Sequence, residues 1–177
     1  MRDNLSCEDR LEKSTAIATR LIHHPEIIKA KKIFTYVSFR SEVETHRMIN
    51  VLLEQGKVVS VPLSDLKKKT IIPCIIESLE NDLVPGNFGI LEPMAESVQL
   101  MPVNEIDIII IPGAVFSSNG SRIGYGSGYY DRFLQNRQIR SFALAFDFQV
   151  VDVVPFDPEF DVKVDSIITE KRSIKCL

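Results

Sequence analysis

Residues Ile106–Phe116, I-D-I-I-I-I-P-G-A-V-F, contain four consecutive isoleucines at Ile108–Ile111. A strand with no polar face has to be covered on both sides, the situation of a parallel sheet with flanking helices. The run is broken by Asp107, Pro112 and Gly113, and is too short to span a bilayer. After Ser117, Ser118 and Asn119 comes G-S-R-I-G-Y-G-S-G-Y-Y-D-R-F-L, Gly120–Leu134, with glycines alternating at Gly124, Gly126 and Gly128. A strand, a glycine-rich loop and the start of a helix form a natural anion site: glycine lets backbone N–H groups approach an oxyanion, and the first helical turn adds its own.

The rest of the chain alternates. The spacing of Leu11, Ile17, Leu21 and Ile22 predicts a helix from about Glu8 to His24. Lys32–Ser38 reads as a strand. Ser41 with Glu44 forms a capping box for a helix whose buried face carries Thr45, Met48, Ile49, Leu52 and Leu53 and which Gly56 ends. Lys57–Leu63 and Thr70–Glu77 read as a hairpin, with Pro73 demanding an edge or a bulge. Ile106–Ile111, Phe142–Phe146 and Val164–Thr169 complete the strands, while Asn81–Asn104 shows no period. The expected fold is α/β, a single-domain three-layer sandwich over residues 1–177, with a mostly parallel central sheet and helices on both faces.

Composition excludes several classes. Of the 177 residues 45% are hydrophobic and 25% charged, and the net charge is −3, so a general nucleic-acid binder is not expected. Cys7, Cys74 and Cys176 lie far apart without a C-x-x-C pair, which predicts unpaired thiols in a reducing compartment. The N-terminus lacks the apolar core of a signal peptide. A cytoplasmic protein, monomeric and without membrane contact, is the expectation.

Taken by itself, G-Y-G-S-G matches neither G-x-G-x-x-G nor a Walker loop. Its neighbours carry the phosphate reading further. Arg122 can pair bidentately with phosphate, and Tyr125, Tyr129 and Tyr130 can stack on a flat ligand or anchor the helix. Asp131 suits a helix's first turn without any function. It equally suits Mg²⁺ beside phosphate, with a second carboxylate from Asp157, Glu159, Asp161 or Asp165. Glu42 is either a solvated surface residue or an acceptor for an N–H-rich ligand at the end of a strand.

The Ile106–Leu134 segment resembles the signature of the 5-formyltetrahydrofolate cyclo-ligase family. Further matches follow in order: Y-V-S-F-R-S-E-V-E-T at Tyr36–Thr45, G-K-V-V-S-V-P at Gly56–Pro62, F-G-I-L-E-P at Phe88–Pro93, and the closing D-V-K-V-D. The resemblance implies an ATP-dependent enzyme. The formyl oxygen of 5-formyltetrahydrofolate attacks the γ-phosphate, N10 closes the ring, and phosphate leaves to give 5,10-methenyltetrahydrofolate.

Carried over by position, the resemblance puts ATP on Arg122, Ile123, Gly124, Tyr125, Gly126, Ser127, Gly128, Tyr129 and Tyr130, with Arg122, Tyr125 and Tyr129 in catalytic roles. It puts the folate on Val37, Glu42 and Tyr125–Tyr129, with Phe88 beside the pterin, and Mg²⁺ on Asp131 and Asp161. Two departures stand out. Ser127 replaces the Lys or Gly of many members, and the matching region begins near Arg2, after the usual basic K-x-x-x-R helix. Arg2 and Arg10 are then expected to substitute in part for its cations. The alternative is a folate-binding module without turnover.

Overall fold

In the computed structural model, which describes residues 2–86, 89–94, 98–135 and 137–176, the N-terminal helix α1 spans Cys7–Ile22. Its cap is Ser6, whose Oγ accepts the Asp9 N–H at 3.0 Å. Ile17 and Leu21 are fully buried, whereas Leu11 is 38% exposed. A short helix α2, Pro25–Lys29, leads into strand β1, Lys32–Thr35.

Strand β1 stops before the expected Ser38 because a side chain takes over its backbone groups. Thr45 Oγ1 donates to the Tyr36 carbonyl at 3.0 Å and accepts the Ser38 N–H at 2.9 Å. Helix α3, His46–Glu54, therefore starts at Thr45, and the Ser41–Glu44 capping box does not form. Ser41 instead bonds Asp3 and Arg2, and Glu44 accepts the His46 N–H at 2.5 Å. At the other end the Gly56 N–H reaches Leu53 O and the Lys57 N–H reaches Leu52 O, with Gly56 at φ +74°. This is a Schellman closure, which needs the left-handed residue that glycine supplies.

Strands β2 (Val58–Asp65) and β3 (Thr70–Ile76) form the expected hairpin, its turn held by Asp65 Oδ1 accepting from Lys67 and Lys68 N–H. The aperiodic stretch folds as α4 (Leu79–Asp82), β4 (Leu83–Pro85), β5 (Leu91–Pro93) and β6 (Gln99–Leu100). Only Cys74 and Ile75 of β3 pair with β6 in register, so Pro73 sits where the sheet is nearly at its edge. Then follow β7 (Ile108–Ile111), β8 (Val115–Ser117), β9 (Arg122–Ile123), α5 (Tyr129–Leu134), β10 (Arg140–Leu144), β11 (Val150–Val151), β12 (Ser166–Ile168) and β13 (Ser173–Lys175).

Among the described residues the main sheet has eight strands in the order β13-β12-β10-β7-β1-β2-β3-β6. The five from β12 to β2 are parallel, and β13, β3 and β6 are antiparallel additions. The isoleucine run lies at its centre and divides by parity. Ile108 and Ile110 join the cluster with Ile17, Leu21, Met48 and Leu52 of α1 and α3, while Ile109 and Ile111 join Phe116, Phe133 and Leu134 on the opposite face. That second face carries α5 and a small sheet of order β11-β8-β9.

The chain steps from β1 outward to β2 and later returns to place β7 on the other side of β1. In parallel sheets such a reversal leaves a crevice at the strand C-termini, where ligands bind. No described helix is long and apolar enough to cross a membrane.

Candidate active site

The crevice between the ends of β1 and β7 opens into a cleft of about 740 Å³. Tyr36 and Val37 leave β1 into its wall, and Pro112 leaves β7. The glycine loop closes one side, the Ser41–Glu42 turn another, and Pro155 and Asp161 reach in from the C-terminal segment. Val37, Glu42, Asp131, Asp161 and every residue from Arg122 to Tyr130 line this one space, although they are spread across the chain.

The loop is held by Arg122, which is only 6% exposed. Its Nη2 donates to Asp131 Oδ1 at 2.8 Å, and its buried Nε has no hydrogen-bond partner among the described residues. A buried unsatisfied guanidinium N–H is costly and suits an anion absent from the protein itself. Gly124 lets Arg122 lie against the loop: a Cβ there would stand 3.2 Å from Arg122 Nη1. Gly126 takes φ +85° with its flank open, and Gly128 precedes the first turn of α5 with no side-chain cap. Arg132 braces the loop from behind through the Ser127 and Lys69 carbonyls. Ser127 itself is exposed.

Across the cleft, Glu42 is 9% exposed. Its Oε2 accepts the Phe39 N–H at 2.8 Å, and its Oε1 accepts the Tyr125 phenol at 2.6 Å. Burial pushes its carboxyl above its usual value, with these two bonds pulling the other way. Burial and the Glu42 charge together drive the Tyr125 and Tyr130 phenols far up, so both stay protonated donors. Arg2 completes the group: Nη1 donates to Tyr125 Oη at 2.9 Å and to Gly113 O at 3.3 Å, and Nε donates to Ser41 Oγ at 3.1 Å.

Asp131 and Asp161 share the cleft wall, and each keeps one carboxylate oxygen without a protein partner among the described residues. Asp131 uses Oδ1 for both Arg122 and the Val162 N–H, and Asp161 uses Oδ2 for the Asp157 N–H. No group of three or more His, Cys, Asp or Glu suited to holding a metal occurs among the described residues. Two carboxylates with free oxygens still match the sparse protein ligation of Mg²⁺, which takes its other ligands from phosphates and water.

Of the two N-terminal arginines expected to substitute for the basic helix, Arg2 lies in the cleft. Arg10 does not line it and instead bonds the carbonyl of Arg40, which does. Phe88 lies outside the described residues. Sequence reasoning missed Tyr36, Ser64 and the buried Glu92, which accepts the Ser64 hydroxyl in the cleft wall. The F-G-I-L-E-P segment already contained Glu92, and a carboxylate between apolar neighbours and a proline was the available signal.

The 5-formyltetrahydrofolate cyclo-ligase family model matches residues 1–170. The mouse 5-formyltetrahydrofolate cyclo-ligase is 31% identical over 176 residues, covering 94% of this chain and 86% of that protein. The Escherichia coli K12 protein of the same name is 28% identical, with 97% and 95% covered. The solved 5,10-methenyltetrahydrofolate synthetase of Aquifex aeolicus superposes with a TM-score of 0.85 at 32% identity, over 98% of this chain and 86% of that one. Sequence, fold and cleft thus converge, and the chain belongs to the 5-formyltetrahydrofolate cyclo-ligase family.

Proposed function

We propose that this protein uses ATP to close 5-formyltetrahydrofolate to 5,10-methenyltetrahydrofolate, releasing ADP and phosphate. One observation carries the reading: a buried N–H acceptor, Glu42, faces a glycine loop with a buried, partly unsatisfied arginine across a single cleft. The first group suits the donor-rich pterin and the second suits phosphate, and the reaction needs both substrates side by side.

An amide oxygen is a poor leaving group. Transfer of the γ-phosphoryl from ATP to the formyl oxygen breaks the bond to ADP and makes that oxygen a good one. N10 then adds to the activated carbon and gives up its proton to the departing phosphate or to water, and phosphate leaves with the oxygen. The protein's task is to hold two substrates in line and to neutralise phosphate charge. Arg122 and the N–H groups of the 123–130 loop serve the phosphates, with Tyr125 and Tyr129 between phosphate and formyl group. Val37, Glu42 and the Tyr125–Tyr129 stretch orient the folate. Asp131 and Asp161 would hold Mg²⁺, which when bound offsets phosphate charge.

The family's named activity and the retained loop favour turnover over a folate-binding module. Three free cysteines suit a reducing compartment, and the cytoplasm is the proposed location.

The test mixes protein, Mg-ATP and 5-formyltetrahydrofolate and follows the methenyl-folate absorbance band. An ATP-dependent rise is expected, and a flat trace overturns the reading. Asp131→Asn, which keeps an acceptor for Arg122, and Asp161→Asn are each expected to lower kcat/KM on the order of 100-fold. Wild-type rates in both would remove the carboxylate assignment.

A further inference from the structure

The acceptor that the folate needs is already in use. Tyr125 donates to Glu42 Oε1 at 2.6 Å while Oε2 is committed to the Phe39 N–H. The phenol is steadied by Arg2, whose Nη1 donates to Tyr125 Oη at 2.9 Å and whose guanidinium carbon lies 5.5 Å from the ring centroid. Arg2 is moored in turn to Ser41, and the Ser41 hydroxyl donates to Asp3. Three segments far apart in sequence meet at one carboxylate oxygen.

A phenol bonded to a carboxylate makes one of the stronger hydrogen bonds a protein offers, so an entering N–H cannot take Oε1 without displacing it. Tyr125 is placed to leave. Its side chain belongs to neither core cluster, it is 57% exposed, and it lies between Gly124 and Gly126 with open space on the Gly126 flank.

We propose that Tyr125 is a specificity gate on Glu42: its phenol caps the carboxylate and yields only to a ligand that brings its own N–H donor to Oε1, with Arg2 setting the strength of the cap. This rests on the folate reading of Glu42. A ligand without that donor would have to leave the buried oxygen unpaired, and sites that hydrogen-bond their substrate discriminate strongly on that basis.

Calorimetry of 5-formyltetrahydrofolate binding without ATP tests the gate. Tyr125→Phe removes only the hydroxyl of an exposed ring and is expected to lower Kd about 3- to 10-fold. Arg2→Met loosens the cap and is expected to give a smaller gain. In Glu42→Gln binding weakens, and because a neutral amide oxygen holds the phenol less firmly than a carboxylate, adding Tyr125→Phe then brings a smaller gain than in the wild type, the coupling that a double-mutant cycle reads. An unchanged or higher Kd in Tyr125→Phe overturns the gate while leaving the folate reading intact. No binding to the wild type overturns the folate reading, and the specificity role with it. A ligand-free readout separates the two: the Glu42 carboxyl, followed by NMR titration, moves upward in Tyr125→Phe where the cap exists. An unmoved Glu42 refutes the cap even where folate binds.

Discussion

Glu42 is a residue whose best state for function is not its best state for stability. Burial raises its carboxyl above the ordinary 4.5, and the Tyr125 and Phe39 donors offset only part of that. A group with a raised pKa in the folded protein contributes stability that is fully present below the unfolded value and is lost as pH rises through the folded one. At neutral pH the charged carboxylate is therefore a cost to the fold, one that the proposed folate contact would account for. Glu42→Gln is expected to be more stable than the wild type by about 0.5–1 kcal/mol at pH 7, with the gap narrowing toward pH 4. Thermal melts across that range check it. A variant less stable than wild type at pH 7 would mean that the two hydrogen bonds fully satisfy the charge.

At the scale of elements, the turn from β1 to α3 shows why local patterns misled. Ser41 and Glu44 have the spacing of a capping box, yet Ser41 is drawn to Asp3 and Arg2, partners 38 and 39 residues away. Thr45 takes the cap position because it can also replace the sheet ladder at Tyr36 and Ser38. Thr45 is fully buried, so Thr45→Val would strand the Ser38 N–H and leave the Tyr36 carbonyl only the Thr35 hydroxyl at 3.4 Å, at a cost of about 1–3 kcal/mol. It would also loosen the Val37–Glu42 wall and raise KM for the folate more than KM for ATP. Denaturant melts and paired kinetics test both, and equal effects on the two KM values would separate this turn from the folate side. The same logic marks the limits of reading the sequence. The isoleucine run, the glycine loop, α3 and the β2–β3 hairpin were legible because period and turn chemistry are local. The Glu42–Tyr125 bond spans 83 residues and the Arg2–Tyr125 bond 123, and no periodicity encodes such contacts. Glu92 went unremarked for a similar reason, since its partner Ser64 lies 28 residues away in sequence.

For the molecule as a whole, the cleft exists because a sheet covered on both faces reverses its winding between β1 and β7. That architecture makes a claim about energetics which an alternating, one-faced sheet would not. Ile109 and Ile110 are neighbours in sequence and both fully buried, but they belong to different cores, one beside Phe116 and Phe133 and the other beside α1 and α3. Ile109→Ala and Ile110→Ala should therefore each cost about 2–5 kcal/mol, measured by urea unfolding. In a sheet with one wet face, one of the two would be nearly neutral. Because the side chains lie in separate clusters, the losses should come close to adding. Against a total stability of about 5–15 kcal/mol, the double variant is expected to lie near or past the point of unfolding. A saturating ligand should partly rescue the single variants, since binding only to the folded state adds about 2.7 kcal/mol at a hundred times Kd. Rescue by 5-formyltetrahydrofolate of both single variants, but not of either combined with Glu42→Gln, would tie the two cores to one site at the end of the strand they share.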